Sequence, residues 1–197
     1  MQHLILAMTL FALVGAITPG PVNLIATSTA LNHGKQAALR HVAGASIAYS
    51  IVVYTSGYLM QMITHYLPKL ESVMKCGGSL FLLYLAYSLF KAHISPITST
   101  RHSKSGILTG SFIQLLNPKA WVVAMSGVSL YVTGNSHPNT LLVIFTGISL
   151  VICFLGVGMW AMTGTLLAKY LETPTQQHYF NRVMAILLGI SIIMIWI

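Results

Sequence analysis

Two short runs hold the residues able to do chemistry: Thr18-Pro19-Gly20-Pro21-Val22-Asn23 and Asn117-Pro118-Lys119-Ala120-Trp121. Each sits inside a long apolar stretch. A proline within a helix removes one N–H and releases the carbonyl four residues back. Pro19 and Pro21 therefore release the carbonyls of Gly15 and Ile17, and Pro118 releases that of Gln114. Gly20 adds a residue that accepts almost any backbone angle. In hydrocarbon such groups cannot stay unpaired, so irregular backbone is tolerated where it lines a cavity or packs on protein. A helix that restarts after the break presents unpaired N–H groups and a positive dipole end, which suits an anion. One proline of this kind is most simply a packing kink. Three prolines in two matched segments, each run with its own Asn, point instead to a binding site.

Lys119 sharpens that reading. It lies roughly 18 Å into its apolar segment if the segment is helical. A Lys near the bilayer centre costs about 2.5–3.5 kcal/mol on insertion scales. No Asp or Glu lies in any apolar segment to offset it. Snorkelling would need a longer stem, so a water-filled cavity that meets an anionic ligand is the better expectation. Asn23 and Asn117 can orient a substrate through amide hydrogen bonds, or cap the restarting half-helices, and the two roles are compatible. Gly44 and Ala48, one turn apart, read as a close helix contact. Trp121, Trp160 and Trp196 read as packing or interface anchors. The eight histidines have no paired spacing, so no metal ligand is expected among them. Cys76 and Cys153 lack any CxxC or Cys/His spacing and read as free buried thiols.

The elements that must position these residues follow from composition. Apolar residues make up 55% of the 197-residue chain and charged residues only 6%, with a mean hydropathy of +0.78. Soluble domains carry about 25% charged residues, so the solvent of this chain is largely lipid. The net charge of +8 could suggest nucleic acid, but no basic stripe with interleaved aromatics exists to follow a phosphate backbone. Six apolar segments can be read, at 4–31, 42–63, 76–90, 107–133, 140–168 and 183–197. About 20 residues span a bilayer core, so the third and sixth would need flanking residues to join them. The first continues well past the length of a cleavable signal and lacks a basic start.

Seven Lys/Arg residues lie on one side of these segments (Lys35, Arg40, Lys91, Arg101, Lys104, Lys169, Arg182) and two on the other (Lys69, Lys75). The positive-inside rule then places both termini outside the cytoplasm. The expected fold is an all-α integral membrane protein with six transmembrane helices. They form two inverted three-helix repeats, about 1–92 and 106–197, joined by a cytoplasmic loop at 93–105. Helices one and four are broken at their prolines, the best sequence pointer to a transporter site. No room remains for a catalytic domain, so no enzyme and no cofactor are expected.

The run from Thr18 to Leu24, followed by Asn32-His33-Gly34, resembles the LysE/RhtB family of bacterial amino-acid exporters. Leu116-Asn117-Pro118-Lys119-Ala120 resembles that family's second signature. Weaker similarity runs through Lys75-Cys76-Gly77-Gly78 with Tyr84-Leu85, and through Phe180-Asn181-Arg182-Val183. The resemblance implies an inner-membrane exporter of amino acids or small derivatives, driven by a proton or sodium gradient. It implies a central site at the broken first and fourth helices, onto which Pro19, Gly20, Pro21, Asn23, Asn117 and Lys119 map. With the backbone argument, Gln114 and Pro118 complete the candidate substrate-binding set. Family members that export homoserine, threonine or basic amino acids often carry an acidic residue in the fifth segment; 148–161 has none. The chain therefore looks more like the cysteine/O-acetylserine exporters, with homoserine or threonine as the alternative cargo. The expected partners are a small amino acid, membrane lipid and, where it assembles, further copies of itself. A membrane thiol–disulfide electron carrier is the rival from another class, and it would need two thiols close enough to bond.

Overall fold

Prolines set where the helices start. The computed structural model describes residues 2–62, 76, 79–80, 83–84, 86–87, 90–91, 106–133, 135–167 and 173–196, and all its regular elements are helical. They are α1 (Gln2–Ile17), α2 (Pro21–Met62), α3 (Gly106–Leu115), α4 (Pro118–Tyr131), α5 (Pro138–Leu167) and α6 (Pro174–Trp196). Four of these six begin on proline, whose missing N–H is no loss in a first turn and whose fixed φ suits a helix. α6 adds a reciprocal cap: the Thr173 N–H donates to Gln176 Oε1 at 3.0 Å, and the Gln176 N–H donates to Thr173 Oγ1 at 3.3 Å. This start, nine residues before the apolar run at 183, gives the sixth segment 23 helical residues. That is enough to cross a bilayer.

The fourth apolar segment is the pair α3 and α4, and the first is α1 with the opening turns of α2. The fifth matches α5 closely. The described residues between Cys76 and Phe90 are helical as well. The expected loop at 93–105, with Arg101 and Lys104, lies outside the described residues, as do Lys69, Glu71, Lys75, Lys169 and Glu172.

The expected placement of the basic residues needs correction, for Arg182 lies within α6 rather than in a connection before it. Lys35 and Arg40 were expected in a connection between the first two segments, yet both lie in α2. The connection is Gly34 alone, at φ 82° and ψ 172°. In a straight helix Val22 and His41 would stand about 28 Å apart. Instead His41 Nε2 donates to the Val22 carbonyl at 3.2 Å, so the chain turns back at Gly34. A Cβ there would meet nothing within 4 Å. The backbone conformation, not crowding, calls for glycine. Gln36-Ala37-Ala38-Leu39 then restarts the helix at once because all four favour it.

Close helix contacts hold the bundle. Gly44 faces the backbone of Ile107, Gly110 faces that of His41, and Gly164 faces that of Thr27, each with no space for a Cβ. The Ser111 hydroxyl donates to the Gly44 carbonyl at 3.0 Å across the α2–α3 crossing. Small residues at crossings let dispersion and interhelical hydrogen bonds act at short range, as membrane helices require. Phe145, Met8, Leu31 and Ile113 are fully buried. Outside, the pattern inverts: Leu6, Leu10 and Val14 form an exposed stripe along α1, 53–68% accessible. Such a stripe suits lipid. By length and composition Pro138–Leu167 can cross a membrane, and so can the stretch Pro21–Met60, which the turn at Gly34 divides into two arms.

Candidate functional site

α1 ends at Ile17 and α2 begins at Pro21, leaving Thr18, Pro19 and Gly20 outside any helix. Their carbonyls, and those of the last turn of α1, are claimed by side chains. Asn23 Nδ2 reaches back to the Ala16 carbonyl at 2.9 Å and the Thr18 carbonyl at 3.0 Å. Trp160 Nε1, on α5, donates to the Ile17 carbonyl at 3.1 Å. Lys119 Nζ, at the start of α4, donates to the Thr18 carbonyl at 2.8 Å and approaches the Pro19 carbonyl at 3.4 Å. The lysine therefore joins the two breaks, a contact that sequence reasoning missed. A Cβ at Gly20 would lie 3.4 Å from Lys119 Cδ and Nζ, so glycine keeps that face of the ammonium uncrowded.

The second break is narrower. α3 ends at Leu115 and α4 starts at Pro118. Asn117 caps α4: its backbone is extended and its Oδ1 accepts from the Lys119 N–H at 3.2 Å. The Asn117 N–H donates to the Gln114 carbonyl at 3.2 Å, and Trp121 Nε1 donates to the Leu115 carbonyl at 2.8 Å. Of the carbonyls expected to be open for a ligand, those of Ile17 and Gln114 therefore already have donors. Trp121 and Trp160 act here as donors to broken backbone, a role their sequence positions did not suggest.

A cavity of about 40 Å³ lies between the breaks. It has space for a few waters. Gly20, Asn23, Gln114, Asn117 and Lys119 from the candidate set line it; Pro19, Pro21 and Pro118 shape the backbone around it instead. Asn23, Gln114 and Asn117 are each at least 94% buried. Gln114 Oε1 has no hydrogen-bond partner within the protein. Tyr49, from the returning arm of α2, and Cys153, from α5, also line the cavity. Neither stood out as a site residue. The available signal was the small or polar sequence Ser149, Cys153 and Gly156 on the buried face of α5, which helical spacing aligns. Cys76 and Cys153 are both free, one exposed and one buried. Among the described residues no group of three or more His, Cys, Asp or Glu could hold a metal.

Two helix breaks meet at a small cavity that several polar side chains line, within a bundle whose outer face is apolar, an arrangement that suits a membrane protein. The chain matches the family of LysE type translocators over residues 13–194 and belongs to it. It is a membrane translocator, not an enzyme. Its similarity extends to proteins named cysteine/O-acetylserine efflux protein. The one from Klebsiella pneumoniae is 26% identical over 167 residues, covering 84% of each chain. Those from Salmonella typhimurium and an Escherichia coli strain are 24% and 26% identical over 183 residues, covering 90% of each. No solved structure matches.

Proposed function

We propose that this protein is a secondary exporter of small neutral amino acids or their derivatives, of the cysteine/O-acetylserine type, in a bacterial inner membrane. The observation that carries the reading is the state of Lys119. An ammonium has three protons to donate, and the Thr18 and Pro19 carbonyls engage two of them. One donor and a full positive charge remain beside the cavity, with no carboxylate in any described helix to neutralise them. The carboxylate of an amino acid supplies the missing anion, helped by the positive dipole end of the restarting helices. Pro19, Gly20, Pro21 and Pro118 hold the backbone open, while Asn23 and Asn117 fix the orientation in which the ligand meets it. The absence of an acidic residue in α5 argues against a basic cargo. The names of the similar efflux proteins favour the same substrate class.

In this reading the bundle is two inverted three-helix halves, and α1–α2 and α3–α4 contain the broken first helix of each. Rocking one half against the other would alternate access, driven by a proton or sodium gradient. Both termini face the periplasm, on the strength of the seven-to-two Lys/Arg bias. Counterflow in proteoliposomes with a panel of labelled amino acids tests the activity. Exchange of cysteine or O-acetylserine is expected, and failure to exchange any small neutral amino acid would refute it. A reporter active only in the cytoplasm, fused after Ile197, should stay silent, and strong signal would overturn the topology.

A further inference from the structure

The main-chain carbonyl of Gln114 already accepts from Asn117, but its side chain is a different matter. Gln114 is 6% exposed, lines the cavity, and its Oε1 has no donor from the protein. A buried acceptor without a donor costs about 1–3 kcal/mol, and such atoms are rare enough in native proteins to call for an explanation. The neighbouring amides are already engaged. Asn23 Nδ2 holds two carbonyls of the first break, and Asn117 Oδ1 holds the α4 cap. Gln114 Oε1 is thus a buried acceptor without a donor, on a side chain that lines the cavity.

We propose that the Gln114 side chain recognises the α-ammonium of the transported amino acid, as the counterpart of Lys119 at the carboxylate. This rests on the export reading above. An acceptor at one point and a spare ammonium donor at another match the two ends of a zwitterion. Because the acceptor is a neutral amide, it pairs with an ammonium without fixing a charge in the cavity. A carboxylate there would leave a buried negative charge whenever the site was empty. The site then requires a free amine on its ligand and rejects the same carboxylic acid without one. The physical reason is that a ligand lacking the donor leaves Oε1 unpaired in a site from which water has been displaced.

The test compares binding of the amino acid found to exchange in wild-type proteoliposomes with binding of its deamino analogue, in wild type, Gln114→Met and Gln114→Glu. Wild type should bind the amino acid about 10- to 100-fold more tightly than the analogue, the range expected of a hydrogen bond to a charged group. Gln114→Met keeps the length of the side chain but has no acceptor, so that preference should fall to about threefold or less. The analogue itself should bind Gln114→Met at least as well as it binds wild type, since no acceptor is left unpaired there. Equal loss of both ligands would mean that Gln114 merely shapes the cavity, and unchanged preference would remove it from the site; either overturns the proposal. If Gln114→Met does not fold, Gln114→Glu decides: a wider preference for the amine supports the assignment, and an unaltered one overturns it. Because the ligand is first established by counterflow in wild type, failure of the export reading is seen separately.

Discussion

The two breaks begin alike in sequence, with a proline and an Asn beside it, but they are stabilised in opposite ways. At the second break every observed partner is local: Asn117 caps its own helix, and Trp121 reaches six residues back to Leu115. At the first, the donors come from Asn23 nearby, from Lys119 101 residues away and from Trp160 143 residues away. A break closed by its own neighbours keeps its shape when surrounding helices move. One closed by other helices cannot, because its hydrogen bonds exist only in one arrangement of those helices. The first break is therefore where a change in helix arrangement would be felt, and the second is a fixed platform that presents Lys119 to it.

Removing the lysine should have the largest effect, since it hydrogen-bonds from one break to the other. Losing one partner of a desolvated charge pair costs about 2–5 kcal/mol, or some 30-fold to several-thousand-fold in affinity. Lys119→Met is expected to weaken binding of the transported amino acid by an amount in that range. The protein should still insert, because the Thr18 carbonyl keeps its bond from Asn23. An amino-acid amide, which has no carboxylate, should bind wild type poorly and be much less affected. If acid and amide suffer equally, Lys119 serves only to tie the breaks together. Equal affinity of wild type and variant for the amino acid would remove it from the site.

Next come the remaining donors to the first break. Asn23→Ala leaves the Ala16 and Thr18 carbonyls short of a partner and should lower stability by about 1–3 kcal/mol, read as a fall in Tm in detergent. Trp160→Phe keeps an aromatic ring but deletes the N–H that serves Ile17. About 1 kcal/mol is expected there, the net value of one such bond. The effect should also appear in transport rate, since this bond joins α1 to α5. A Trp160→Phe protein unchanged in both Tm and rate would mean that the first break does not depend on distant helices.

The fold was legible because composition and proline placement act locally. A chain with 6% charged residues has few places to live, and four helices do start at the prolines that could start them. The structure leaves Thr18–Gly20 and Leu116–Asn117 outside the helices, beside the prolines that prompted the expectation, and Asn23, Gln114, Asn117 and Lys119 line the cavity there. What could not be read were pairings between distant positions. Nothing in the one-dimensional order of residues tells that Lys119 meets Thr18, or that Trp160 meets Ile17. Tyr49 and Cys153 were missed because each comes from a helix whose facing depends on tertiary packing. The turn at Gly34 was hidden by a different cause. A single residue at positive φ does the work for which a loop was expected, and the basic residues Lys35 and Arg40 made the stretch resemble one.

The smallest effect should come from the second break, through Asn117. Its Oδ1 satisfies one N–H in the first turn of α4, and loss of an N-cap costs about 0.5–2 kcal/mol. Asn117→Ala should therefore lower Tm less than Asn23→Ala, which removes two bonds across the wider break. Substrate affinity should drop only modestly, because the cap acts by holding the first turn that carries Lys119. Asn117→Ser and Asn117→Asp supply a capping oxygen of comparable quality. The serine variant is the better probe, since an added carboxylate would also neutralise Lys119. Asn117→Ser is expected to recover both Tm and affinity together. Recovery of Tm without recovery of affinity would show that the Asn117 amide touches the substrate itself. In that event the second break would be no passive platform, and the contrast between the two breaks would be one of hydrogen-bond range alone.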